Sequence, residues 1–90
     1  MSHVSSNGKR LLARVRRIKG QVEALEKALQ GEADCLAVLT QTAAIKGAAQ
    51  SLMIELLGDH LQAHLVAEDD ADARQAESDA LTRMLRSYFK

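Results

Sequence analysis

The sequence predicts an all-α protein, on three observations. It contains no proline; it has one Tyr, one Phe and no Trp; and Ala and Leu make up most of its apolar content. Strands draw on β-branched and aromatic residues, whereas helices draw on Ala, Leu, Glu, Lys and Arg. A chain of 90 residues makes one domain, expected to span 1–90 with residues 1–6 as a flexible N-terminal arm. So short a chain buries a modest share of its surface and often needs a metal, disulfides or partners for stability. Intrachain disulfides are excluded because Cys35 is the only cysteine, a usage that fits a reducing cytoplasm. The N-terminus, MSHVSSNGKR, lacks the apolar core of a secretory signal. No apolar run nears the ~20 residues that span a bilayer. A cytoplasmic protein with no membrane partner is therefore expected.

The first helix is predicted from about Asn7 to Gln30. Ser5, Ser6 or Asn7 can cap it, and Gly31 stands where a helix ends. Leu11, Val15, Ile18, Val22, Leu25 and Leu29 follow a 4-3-4-3-4 spacing, a narrow apolar seam of coiled-coil type expected to be core. The second helix is predicted from near Ala33 to about Leu65, with Asp34 at its positive end. Gly47 and Gly58 weaken it by only ~1 kcal/mol each. A helix of that length cannot be covered by its own small chain, and its apolar and small residues spread around it, so it asks for a partner chain. Residues 67–72, AEDDAD, read as an acidic link and cap for a third helix from about Asp72 to Tyr88.

The zero net charge hides an asymmetry. Residues 1–20 carry Lys9, Arg10, Arg14, Arg16, Arg17 and Lys19 and no acid, whereas residues 55–79 carry eight acids against Arg74 alone. Arg10, Arg14 and Arg17 form one helical stripe. Charge divided this way points to a basic surface for a polyanion.

Cys, His and carboxylate are ligands of borderline transition metals. His60 and His64, at i and i+4, share a helix face and can chelate one ion. Cys35 lies on the same predicted helix; at about 1.5 Å per residue it is roughly 38 Å from His60 along the axis. One chain cannot close that gap. Two second helices packed antiparallel would bring Cys35 of one chain to His60 and His64 of the other, with the dyad near Gly47-Ala48-Ala49, where small residues allow close approach. His3 and a free Ser2 amine, exposed by loss of Met1, could add nitrogen ligands. Mixed N/S ligation of this kind suits nickel, cobalt or zinc better than copper(I). Each residue also has a plainer role: a lone cysteine is usually a small buried hydrophobe, and a helical His pair or Arg stripe is often a solvated surface.

The run RVRRIKGQVEALEKAL, then Asp34-Cys35, then AAIKGAAQSLM and DHLQAHL, resembles the CsoR/RcnR/FrmR family of bacterial metal- and formaldehyde-sensing repressors, from about Lys9 to Lys90. The resemblance implies three helices per chain, an antiparallel four-helix-bundle dimer and a disc-like homotetramer built as a dimer of dimers. It implies an apo form that binds operator DNA and a ligand-bound form that releases it, derepressing efflux genes where the ligand is a metal. Copper sensors of the family carry Cys-His-Cys, but His64 stands here at the third position. Formaldehyde sensors pair the reactive Cys with proline at position 2, where this chain has Ser2. Nickel/cobalt sensors of the RcnR type carry all four of His3, Cys35, His60 and His64, so the sensing residues are nearest that type, while the first-helix run RVRRIKGQ is nearer the formaldehyde branch. On this resemblance Arg14, Arg16, Arg17, Lys19, Gln21 and Lys46 face DNA. Covalent aldehyde sensing through Cys35 is the alternative. A plain helical assembly module and a Cys35 enzyme are rival classes; the second lacks an evident base or oxyanion donor, and no enzyme activity is expected.

Overall fold

The computed structural model describes residues 7–89. It consists of α1 (Gly8–Gln30), α2 (Cys35–Leu61), a π-helical turn (Gln62–Val66) and α3 (Ala71–Tyr88). No strand occurs among the described residues. Ser2 and His3 lie outside them. The chain divides into two compact units, one ending at Leu56 and the other starting at Leu57.

Local chemistry sets the helix ends. Asn7 precedes α1 without a side-chain capping hydrogen bond. The Gly31 N–H closes the helix, donating to the carbonyls of Lys27 at 3.2 Å and Ala28 at 3.3 Å. α2 starts at Cys35 rather than near Ala33, because Asp34 is its cap: Asp34 Oδ2 accepts from the Ala37 N–H at 3.2 Å, satisfying a donor the first turn leaves open. The α-helical pattern ends at Leu61, short of the expected Leu65. The Ala67 N–H then donates to the Gln62 carbonyl at 2.9 Å, the i to i+5 bond of a π-helix. α3 starts at Ala71, where Asp70 Oδ2 accepts from the Ala73 N–H at 2.8 Å. Arg74 Nη1 reaches back to the carbonyls of Glu68 at 2.7 Å and Asp69 at 3.1 Å, tying down the acidic link.

In the first unit α1 runs antiparallel to α2. Leu11, Arg14, Ile18, Gln21, Leu25 and Ala28 form the enclosed line of α1, and Val38, Gln41, Ile45, Ala48, Leu52 and Glu55 that of α2. Both lines advance by threes and fours, the spacing of side-chain ridges on packed helices. The expected seam is thus only half enclosed. Leu11, Ile18 and Leu25 pack, but Val22 is 47% and Leu29 65% exposed, and Val15 is exposed as well. The physical reason is width. One neighbouring helix covers one flank of a seam, and α2 takes the flank that includes Arg14, Gln21 and Ala28. Leu11 is the one buried hydrophobic side chain among the described residues. Leu36, Leu39 and Ile54 of α2 are also exposed, as an apolar circumference requires. No helix among the described residues is long and apolar enough to cross a membrane.

In the second unit the π-helical turn packs on α3. His60, Leu61, His64 and Leu65 are half-buried there, as are Glu77, Leu81 and Leu85 of α3.

Candidate functional site

Two local arrangements carry chemistry, one in each unit. The first is an open cleft of about 450 Å³ between α1 and α2, lined by Arg14, Arg17, Ile18 and Gln21 on one side and Ala44, Gly47, Ala48 and Ser51 on the other. The α2 wall is built of small residues, so the two guanidinium groups border open space. Gln21 is half-buried and its Oε1 has no hydrogen-bond partner among the described residues. Arg16, Lys19 and Lys46 are exposed and do not line this cleft. Of the six residues expected to face DNA, three therefore converge and three stand on open surface.

Glu55 was not anticipated from the sequence. Its Oε1 accepts from Arg10 Nη2 at 2.6 Å and lies 3.0 Å from Arg14 Nη2. No spacing rule links residues on two helices, so the pairing emerges only once α1 and α2 are folded together.

The second arrangement is the histidine pair. The ring centroids of His60 and His64 are 4.5 Å apart and tilted by 37°. His60 Nε2 lies 3.7 Å and His64 Nδ1 3.6 Å from the same atom, Glu77 Oε1. Each contact is ionic only when the imidazole is protonated. One nitrogen of each ring is thus turned toward a common point, and α3 supplies a carboxylate beside it. Glu77 is the second residue that sequence spacing missed, again because it comes from another helix. His64 belongs to the π-helical turn and His60 to the α-helical stretch before it, so the change in winding falls between the two.

Cys35 is a free, exposed thiol at the first position of α2, not the buried small hydrophobe that a lone cysteine usually is. It is the first residue of α2, and His60 falls in the last turn assigned to that helix. Among the described residues no group of three or more His, Cys, Asp and Glu side chains is arranged to hold a metal ion. The donor set itself, two converging imidazoles with a carboxylate at hand, is of the kind that borderline divalent ions accept.

Residues 7–87 match the family described as metal-sensitive transcriptional repressor. A protein encoded in the bioA 5′ region of Serratia marcescens, itself uncharacterised, is 52% identical over 92 residues, covering both chains fully. The transcriptional repressor RcnR of Salmonella paratyphi B is 42% identical over 90 residues, again covering both chains fully. Among solved structures, a glutamate-to-histidine variant of the formaldehyde-responsive regulator FrmR from Salmonella enterica serovar Typhimurium superposes with a TM-score of 0.86 at 46% identity, covering 93% of this chain and 96% of that one. By name the latter two relatives are a transcriptional repressor and a formaldehyde-responsive regulator. The family match runs unbroken through the cleft-bearing hairpin and the histidine-bearing segment alike, and the chain belongs to the metal-sensitive transcriptional repressor family.

Proposed function

We propose that the chain is a single sensor domain that binds operator DNA in its ligand-free form and releases it on binding nickel or cobalt, with derepression of metal efflux genes as the outcome. The observation that carries this reading is the convergence of His60 Nε2 and His64 Nδ1 on one point, at 3.7 and 3.6 Å from Glu77 Oε1. A chelating pair that is oriented before its ligand arrives loses little conformational entropy on binding. The proposed site joins His60 and His64 of one subunit to the partner subunit's Cys35, with His3 and the Ser2 amine as further nitrogen donors. A bound ion would supply a strong local positive charge and hold two chains together. Zinc satisfies the same donor types. The assembly proposed is a homotetramer, a dimer of dimers, in which the exposed Val15, Val22 and Leu29 are covered.

Arg14, Arg16, Arg17, Lys19, Gln21 and Lys46 form the proposed DNA face. Contacts from these cations to phosphate release counterions, so affinity falls steeply with salt. Release requires the ion to bind the DNA-incompetent form more tightly; couplings of ~1–3 kcal/mol are typical.

A second reading has its own support in the likeness to the formaldehyde-responsive regulator FrmR. The exposed Cys35 thiol would then add across the aldehyde carbonyl, forming an S–C bond and passing its proton to the oxygen. Titrating a protein–operator complex with nickel, cobalt, zinc, copper(I) and formaldehyde separates the two. The expected result is release by nickel or cobalt at the lowest concentration. Release by formaldehyde alone, with a covalent mass gain on Cys35, would replace the metal reading with the aldehyde one.

A further inference from the structure

We propose that Glu55 is an intramolecular competitor for DNA phosphate: it occupies Arg10 and Arg14 in the free protein and must be displaced before they reach a nucleic-acid backbone. This rests on the DNA-binding reading above and adds a residue that sets its strength. The first twenty residues contain no acid, so the basic stripe has no counter-charge of its own nearby in sequence. α2 supplies one. A single carboxylate oxygen sits 2.6 Å from Arg10 Nη2 and 3.0 Å from Arg14 Nη2. Arg17, Arg16, Lys19 and Lys46 make no ion pair among the described residues. Glu55 therefore acts on two particular cations and leaves the rest available.

A carboxylate offers a guanidinium the same acceptor geometry as a phosphate, which makes the exchange one of like for like. The geometry also makes Glu55 displaceable. Its side chain is 23% exposed, that of Arg14 38% and that of Arg10 65%, and ion pairs that keep water at one or both partners are weak. A tight, buried pair would lock the arginines away. A weak one subtracts a modest factor from the affinity each time the protein engages DNA. That subtraction matters to a regulator whose ligand shifts affinity only ~5–150-fold. A repressor bound too tightly would not let go.

The test uses the full-length protein, a fluorescently labelled random-sequence duplex and fluorescence anisotropy over a range of salt. Phosphate contacts are sequence-independent, so this duplex reports the arginines directly. Glu55→Gln keeps the shape and removes the charge. It is expected to tighten binding about 3- to 10-fold, the range that two partly solvated ion pairs support. The slope of log affinity against log salt should change by less than about one unit, since the same phosphates are contacted in both proteins. In an Arg10→Ala, Arg14→Ala background the gain should shrink below about twofold. Circular dichroism checks folding, and Glu55→Asp, with its shorter reach, should give an intermediate gain if Glu55→Gln misfolds. The inference is overturned by unchanged or weakened binding, by a slope steeper by one unit or more, or by a gain that survives loss of both arginines. A slope that steep would mean that Arg10 and Arg14 never leave Glu55 in the wild-type complex. If the wild-type protein shows no salt-dependent binding to DNA, the repressor reading falls and takes this inference with it; if wild type binds and only the Glu55 response is absent, the inference alone falls.

Discussion

At the scale of single residues, the sensing roles proposed for Cys35, His60 and His64 can be separated by substitution. Cys35→Ala should leave salt-dependent DNA binding intact and abolish release by nickel or cobalt; metal-driven release from this variant would rule out the thiol as a ligand. His64→Leu would reduce the proposed chelate to one imidazole. Its apparent nickel affinity, measured by competition with a chromophoric chelator, is expected to fall at least ~10-fold, comparable to losses from disrupted metal sites. A response to formaldehyde through Cys35 would survive the same change. The i, i+4 spacing made His60 and His64 legible in the sequence. Glu77 and Glu55 were not legible, because each reaches its partners from a different helix and nothing local marks the pairing. The caps fall between these cases: Asp34 was recognised near its helix end, whereas Asp70 was only one of several acids in AEDDAD. Asp70 accepts the Ala73 N–H, so Asp70→Ala should cost ~1 kcal/mol in urea unfolding, and Asp70→Asn much less.

At the scale of helices, composition and periodicity gave three elements in the right order, and their limits moved by a few residues for stated reasons. The π-helical turn had no sequence signal at all, since Gln62–Val66 has ordinary helix-forming chemistry. The seam of α1 was legible as a stripe but not as two flanks. Which flank α2 covers depends on how the two helices pack, and the answer puts Arg14 and Gln21 inside and Val15, Val22 and Leu29 outside. The glycines of α2 test the proposed antiparallel partner. A Cβ added at Gly47 or Gly58 meets nothing within 4 Å, so within one chain either Gly→Ala change should stabilise by up to ~1 kcal/mol through helix propensity. Gly58→Ala is expected to show that gain in thermal unfolding. Gly47→Ala should not, because the proposed dyad brings two copies of α2 together there. Gly47→Leu should lower the assembled mass in sedimentation while helix content is retained. Assembly of Gly47→Leu identical to wild type would remove the close approach from the proposal.

At the scale of the whole molecule, the exposed apolar side chains of α1 and α2 outnumber the enclosed ones. A fold in which Leu11 is the one buried hydrophobic residue among those described has little burial to offset the conformational entropy of ordering three helices. Its midpoint of thermal unfolding is therefore expected to rise with protein concentration, as for any chain whose partners bind only the folded form. Differential scanning calorimetry across a hundredfold range of concentration measures this directly, and a midpoint independent of concentration would mean that the lone chain is self-sufficient. The same scarcity of enclosed side chains bears on turnover in the cell. A newly made protomer would spend its unassembled time with Val22, Leu29 and Leu36 in view of proteases and chaperones, and only assembly would hide them. The amount of working regulator should then rise more steeply than the rate of synthesis, so that a small fall in expression clears binding sites well before the protein itself is gone.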